Sequence, residues 1–449
     1  MKLFFKTPVK HDENKKGEKM KRPVVITLLI VALLLAAAGI GAVVFFAVRG
    51  ADFAFFEVPL VSATAEESKN RKIDVEKPVT LKVDNDAGDV SIVGGDVKAV
   101  EVQIIKTAYA TNQPRAEETL QNLQYEIKQN GNVITLIYKL SGRQTREVNT
   151  MDFIVTVPTE TVVEIENGFG TVDVADVNGN VGIVGDFGDV TVKNVEGELA
   201  IENNSGKINV QAVDAAGKDI KVDSDFGEIT LEKINGRNVS IMSNSGTVTV
   251  TNVRASGDMY IKSDFGNTSY ENGSAASLTL ETKSGKTSLT KVNVSDLLKI
   301  SSDFGEIELT QVMAGSYDLQ TNSGTISIDG AKGSLKAYTD FGDIDIVNAK
   351  SVLLDLKTNS GSIQFSGSSG EGLQNIESDF GNIDLSIPAD SQLNVDLKTD
   401  FGKISSDIPI TVTLTGESDG NHQTGTMNGG GGLLTVQTKN GNISITAIK

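Results

Sequence analysis

The sequence predicts an all-β protein, a parallel β-solenoid (β-helix) of about 15 coils, 18–21 residues each, preceded by one transmembrane helix. Three observations carry that prediction. Glycines recur at 170, 188, 206, 227, 246, 266, 285, 305, 324, 342, 361, 381 and 402, a short fixed period of the kind that marks stacked repeats. Apolar residues alternate with period two on both sides of each glycine, as a half-buried strand requires. Pro23–Val48 is an apolar run without a single charge.

The elements follow in chain order. Residues 1–22 carry eight Lys/Arg and read as a basic cytoplasmic tail. Residues 23–48, at ~1.5 Å per residue, make a helix of roughly 39 Å, enough to span ~30 Å of hydrocarbon. A cleaved secretory signal has a shorter apolar region, and the Ala63-Thr64-Ala65 site lies well beyond this run, so an uncleaved anchor is the stronger reading. The positive-inside rule then makes the chain a single-pass protein of a plasma membrane, N-terminus cytoplasmic and residues 50–449 extracytoplasmic. Residues 49–69 form a stalk whose Phe53, Phe55 and Phe56 suit a bilayer interface.

Residues 70–165 are less regular and read as the N-terminal edge of the solenoid. Gly88 in "DAGDVSI" is an outlying turn copy, Val97–Tyr109 a strand and Pro114–Leu123 a short helix. Asn130-Gly131 between "YEIK" and "VITLIY" signals a hairpin. Such an insertion covers an open sheet edge that otherwise invites aggregation.

Residues 166–449 are the regular repeats, with Gly441 closing the series after a polar, Gly-rich loop at 415–432. In Asp219–Leu231, parity puts Ile220, Val222, Ser224 and Phe226 on one face, Gly227 turns the chain, and Ile229 and Leu231 continue inward. One coil cannot bury its own face, whereas stacked coils can. At ~4.8 Å per rung, about fifteen coils make a rod on the order of 70 Å long. Parallel crossovers favour a right-handed sense, with handedness otherwise open.

Two turn types mostly alternate. Asp-Phe-Gly occurs as Phe187-Gly188, Phe226-Gly227, Phe265-Gly266, Phe304-Gly305, Phe341-Gly342, Phe380-Gly381 and Phe401-Gly402. Between them stand Asn-Ser-Gly at 206, 246, 324 and 361 and Lys-Ser-Gly at 285. Parity predicts that these Phe, with Phe169, fill a corner inside the rod, each given room by the smaller Ser of the next rung. Asp on every rung would set carboxylates ~4.8 Å apart, costing about 0.9 kcal/mol per pair even in water. Skipping a rung doubles that distance, beyond a Debye length of roughly 8 Å. The alternation therefore reads as an electrostatic ladder rule.

The same repetition disposes of several chemical readings. A kinase needs its Asp-Phe-Gly once, with a Gly-rich loop and an HRD-type loop, and neither is here. "KSGKT" at Lys283–Thr287 lacks the upstream glycine of a phosphate loop, Leu280 standing in its place. "DSDFG" at Asp223–Gly227 lacks the third carboxylate of a calcium loop and has Ile234 at position twelve. No cysteine and only His11 and His422 are present, which removes thiol chemistry, catalytic triads and multi-histidine metal sites. No catalytic residue and no cofactor is assigned. Weakly bound Ca²⁺ remains open at Asp379 and Asp400, the one pair of consecutive Asp-Phe-Gly turns, against the alternative of solvated turn caps. Residues 50–449 carry a net charge of −24, so nucleic acid is excluded as a partner.

A basic tail, one membrane helix, an edge region ending "IVTVP" and coils of "SDFGxIxL" and "NSGxIxI" together resemble the bacterial putative-adhesin family, over about residues 70–449. Its members are membrane-anchored β-strand-repeat proteins with an adhesin-head-like domain of unknown function. The resemblance implies a solenoid in the cell envelope and supplies no catalytic residue. The resulting expectation is a non-enzymatic module that binds a surface ligand, glycan or protein, or has a structural role. The alternatives are a β-helix polysaccharide-acting enzyme and a membrane-anchored envelope-stress signalling accessory. Against the enzyme stand the tight coils and the absence of Trp, with Tyr260 and Tyr338 the clear outward tyrosines of the repeats.

Overall fold

In each regular coil two strands meet at a corner. Ile220–Phe226 leads into Gly227 and Ile229–Gly236 follows it. The next coil repeats this with Val239–Ser245 and Val248–Ala255. Strands pair in parallel one coil apart, Ile220 with Val239 and Ile229 with Val248, so the segments before the glycines build one ladder and those after build a second. The inward residues Ile220, Val222, Ile229, Leu231 and Ile234 are buried, and one continuous apolar core runs from Val79 to Ile445. β-Branched side chains fill it because they fit a pleated surface buried on one side.

The computed structural model describes residues 63–140, 149–215, 217–412 and 420–448. The basic tail, the apolar run 23–48 and most of the stalk lie outside them. Among the described residues no helix is long and apolar enough to cross a membrane, so the expected transmembrane helix forms no part of the described fold.

The count of about 15 coils needs correction. A full coil turns twice, and the second corner is a left-handed residue six places after the turn glycine: Asp176, Asn194, Ala212, Lys233, Asn252, Asn272, Lys291, Gln311, Gly330, Asn348 and Gly367. The rungs of Gly88, Gly381, Gly402 and Gly441 have no such corner. About 11 complete turns result. The turn glycine marks every rung of the first ladder, including rungs whose chain leaves the stack before closing a coil.

Both ends finish with antiparallel strands. At the start, Thr150–Pro158 pairs in parallel with Val90–Gly95 and antiparallel with Ala99–Ala110, which pairs antiparallel with Ala63–Asp74. A helix, Gln113–Asn122, caps itself on the Asn112 side chain and joins Ala65 and Ala110 through Ala116. The outermost strand carries Glu66, Glu67, Lys69, Arg71 and Lys72, charges that discourage edge pairing. At the other end, His422–Met427 lies antiparallel to Leu393–Phe401 and to Ile410–Val412. The segment 415–432, expected as a loop, thus contains a strand that closes the stack.

Stacking order departs from chain order near this end. Gln374–Phe380 pairs with Gly432–Asn440, and Gly432–Asn440 pairs with Leu393–Phe401. The last segment of the chain is inserted between two earlier rungs.

Candidate functional site

The first corner begins where inward alternation stops. Ser224 points inward, Ile229 is the next buried side chain, and Asp225-Phe226-Gly227-Glu228 form a four-residue bend between them. The parallel ladder pairs Ser224 and Phe226 with the next coil and skips Asp225, so parity fails by one residue. Phe226 therefore faces out. Phe169, Phe187, Phe226, Phe265, Phe304, Phe341, Phe380 and Phe401 are all exposed, from 48% for Phe169 to 75% for Phe401. The expectation that these rings fill the interior is overturned.

The cause is the closeness of the backbones. A Cβ on Gly227 would lie 1.9 Å from the Gly206 carbonyl oxygen, and one on Gly305 would lie 2.0 Å from that of Gly285. Glycine stacked on glycine leaves no inner volume for a ring. The space beneath is taken by a polar residue three places before each turn glycine of the repeats except Gly188, where Gly185 stands. Thr321, Thr339, Thr358 and Ser378 donate their hydroxyls to the turn-glycine carbonyls of the preceding coil at 3.0–3.2 Å. Asn203 Nδ2 does the same to the Gly188 carbonyl at 3.0 Å. These donors satisfy buried acceptors. Ser224, Ser243, Ser263, Thr282 and Ser302 occupy equivalent places with buried hydroxyls that have no partner.

Outside, the rings form a ladder. Phe187 sits beside Phe169, and the two stack with centroids 5.1 Å apart and planes 8° from parallel. Beyond them Phe alternates with a smaller residue: Ser205, Phe226, Ser245, Phe265, Ser284, Phe304, Ser323, Phe341, Ser360, Phe380, Asn440, Phe401. The inserted last segment supplies Asn440, so the alternation persists where chain order alone would set Phe380 next to Phe401. Fourteen rungs at ~4.8 Å make an aromatic edge roughly 60 Å long.

The aspartates beside the rings are paired. Asp186 accepts from Asn204 Nδ2 at 2.7 Å and Asp340 from Asn359 Nδ2 at 2.6 Å. Asp225 accepts from Asn244, Asp303 from Asn322, and Asp264 from Lys283. Asp379 pairs with Lys439 at 2.7 Å, and this carboxylate holds the Lys439 ammonium above its ordinary range. Each of these six Asp meets an amide or ammonium donor on the neighbouring Ser or Asn rung, whereas Asp400 lies 3.9 Å from Lys398 of its own strand. The electrostatic alternation read from sequence is thus also a donor–acceptor ladder. Asp379 and Asp400 are not brought together, because the rung of Gly441 and its Lys439 lie between them. Among the described residues no three His, Asp or Glu converge as a metal site.

One lateral depression of about 330 Å³ is lined by Gln320, Lys336, Ala337, Tyr338, Asp355 and Lys357. The Tyr338 hydroxyl donates to Asp340 and accepts from Asn359 Nδ2 at 3.2 Å; the bond to Asp340 raises its pKa. Lys357 is paired with Glu377 at 3.2 Å.

A rod of stacked parallel coils with an aromatic edge belongs to the class of β-solenoid repeat proteins. The chain belongs to the Toastrack DUF4097 family, whose profile matches residues 79–295 and 274–446. No curated protein matches it. Among solved structures, a putative adhesin from Parabacteroides merdae ATCC 43184 shares 15% identity, covering 62% of this chain and 95% of its own, with a TM-score of 0.32. A putative adhesin from Bacteroides fragilis NCTC 9343 shares 14%, covering 58% and 97%, with a TM-score of 0.29. A putative cell adhesion protein from Clostridium sporogenes ATCC 15579 shares 10%, covering 86% and 100%, with a TM-score of 0.18. Similarity at these scores carries no argument about this chain.

Sequence reasoning found every ring of the ladder and misjudged its direction. A usable signal was present: five positions separate inward Ser224 from inward Ile229, an odd interval that strict alternation forbids.

Proposed function

We propose that this protein is a non-enzymatic binding rod of the bacterial cell envelope, displayed outside the membrane, which docks a partner along its phenylalanine edge. The single observation that carries the reading is the run of eight exposed rings along one edge. Scattered surface apolar residues need no explanation, whereas eight phenylalanine rings aligned on one edge mark an interaction site. The basic tail and apolar run at 1–48 support display from a membrane. Pairing of the acidic column with Asn and Lys favours binding over catalysis, because a general acid or base needs a carboxyl free to exchange protons with a substrate.

The test is capture of cell-wall glycans and whole bacterial cells by the purified chain, beside a variant with Phe226, Phe265, Phe304 and Phe341 changed to Ser. The expected result is capture by the parent and its loss in the variant at unchanged strand content. Equal capture by both would remove the edge from the function. Turnover of a polysaccharide, abolished by substituting the Asp column, would replace binding with catalysis.

A further inference from the structure

We propose that the partner of the phenylalanine edge is a second copy of this chain, packed antiparallel so that the rings of each rod enter the gaps of the other. This rests on the reading of that edge as a docking surface and adds the identity of its occupant.

Shape is the first argument. From Phe187 onward, rings recur every second rung, about 9.6 Å apart, with a serine or asparagine between. A ring placed midway in such a gap would stand ~4.8 Å from each neighbour. The molecule already contains that geometry: where two rings fall on adjacent rungs, Phe169 and Phe187, they stack at 5.1 Å and 8°. Offset stacking of this kind is a favoured aromatic arrangement. A second rod has the same repeat by construction, so the match does not drift along the edge. A single helix or a single extended strand drifts, since two helical turns rise ~10.8 Å and two strand residues ~6.8 Å.

Charge is the second argument, and it demands the same offset. Phe rungs carry the acids, such as Asp225, Glu228, Asp303 and Glu306. The intervening rungs carry Lys207, Lys283, Lys286 and Lys439 or neutral residues. Displacing one rod by an odd number of rungs puts the acids of each against the lysines and amides of the other, and only an odd displacement interleaves the rings. A two-fold axis passing between two rungs produces the offset and gives a closed, self-complementary contact. The net negative charge of the two rods repels mainly beyond the contact, where salt screens it past roughly 8 Å.

Area is the third. At ~190 Å² for a fully exposed Phe, the eight rings present on the order of 900 Å². A standard interface buries ~800 Å² per partner.

The experiment measures the mass of the purified full chain by sedimentation velocity across a wide micromolar range. Three proteins are compared: the parent, the four-fold Phe→Ser variant above, and a variant with the gaps filled, Ser245→Phe, Ser284→Phe and Ser323→Phe. The adjacent pair Phe169 and Phe187 shows that the fold accepts rings on successive rungs. The parent is expected to dimerise, and both variants to weaken the dimer by about tenfold or more. Filling the gaps enlarges the apolar edge, so a merely sticky surface would associate more strongly. Retained or increased association in that variant overturns the proposal, as does a dimer surviving Phe→Ser or a parent that stays monomeric. A monomeric parent whose Phe→Ser variant still loses envelope capture would leave the docking edge standing and remove only the second copy as its occupant.

Discussion

The two corners of each coil solve one problem, reversing a strand without opening the ladder, by different means. At the first corner most of the glycines lie between φ +124° at Gly285 and +158° at Gly381, a region that residues with a Cβ rarely enter. At the nine second corners that carry a side chain φ lies between +50° at Asn194 and +59° at Asp176, the ordinary left-handed region, where Asn, Asp, Lys, Gln and Ala all occur. The first corner is invariably glycine even at Gly305, where φ is not in the left-handed region, because the preceding carbonyl occupies the place of a Cβ. Contact between coils, more than backbone conformation, dictates glycine there. The second corner has room and asks only for tolerance of positive φ. Both then use side-chain amides to tie one coil to the next, Asn204 to Asp186 at the first and Asn194 to Asp176 at the second, at 2.7 and 2.9 Å.

The largest effect expected from this contrast is at the first corner. Gly227→Ala and Gly305→Ala should each destabilise the rod by about 4 kcal/mol or more, read from urea unfolding followed by circular dichroism. If Gly305→Ala were harmless while Gly227→Ala was not, conformation would outrank contact. Next comes the inner support of that corner. Thr339→Val removes a donor to the Gly324 carbonyl and should cost about 1–2 kcal/mol. Ser263→Ala, which deletes a buried hydroxyl without a partner, should fall within about 0.5 kcal/mol of the parent.

The outer tie is weaker. Asn244→Asp with Asn322→Asp sets carboxylates against Asp225 and Asp303 and should destabilise the rod by about 1 kcal/mol at low salt for the two together, read as a lower melting temperature. Like charges raise the folded-state pKa of the new carboxyls, so the folded protein binds more protons than the unfolded one. The penalty is therefore present above the carboxylate range and disappears as pH falls through it. An unchanged melting temperature at low salt and neutral pH would end the ladder rule. At the second corner, Lys233→Gly relieves a left-handed lysine at φ +57° and adds chain entropy to the unfolded state. The two nearly offset, leaving a change within about 1 kcal/mol on the stabilising side. A loss comparable to Gly227→Ala would erase the distinction between corners.

The smallest effect lies at the exposed Arg237–Asp219 fork, with bonds of 3.0 and 2.9 Å. Arg237 holds the Asp219 carboxyl below its ordinary value. A depressed folded-state pKa contributes stability above the unfolded value and loses it as pH falls through the folded one. Arg237→Gln should thus lower the melting temperature only slightly at neutral pH, as expected of an exposed pair, and not at all in strong acid. Melting curves at both pH values measure the difference.

Much of this molecule was legible along the chain. Period-two runs of Val and Ile on each side of a recurring glycine force strands, and a repeat too short to bury its own face forces stacking. The alternation of Asp-Phe-Gly with Asn-Ser-Gly was equally plain, as was the charge logic behind it. Three features depended on distances between residues far apart in sequence. Phe226 points outward because Gly206 and Gly227 stack too closely for a ring beneath them. Asp379 and Asp400 stand two rungs apart because Gly432–Asn440 enters between them. Residues 422–427 form a strand because Leu393–Phe401 would otherwise offer an unpaired edge. Local pattern determines what each coil is made of, since side-chain alternation and turn chemistry act within a few residues. Which coil lies against which, and what room is left between them, is decided only when the backbones pack. That packing turned a presumed filling of the core into the rod's exposed edge.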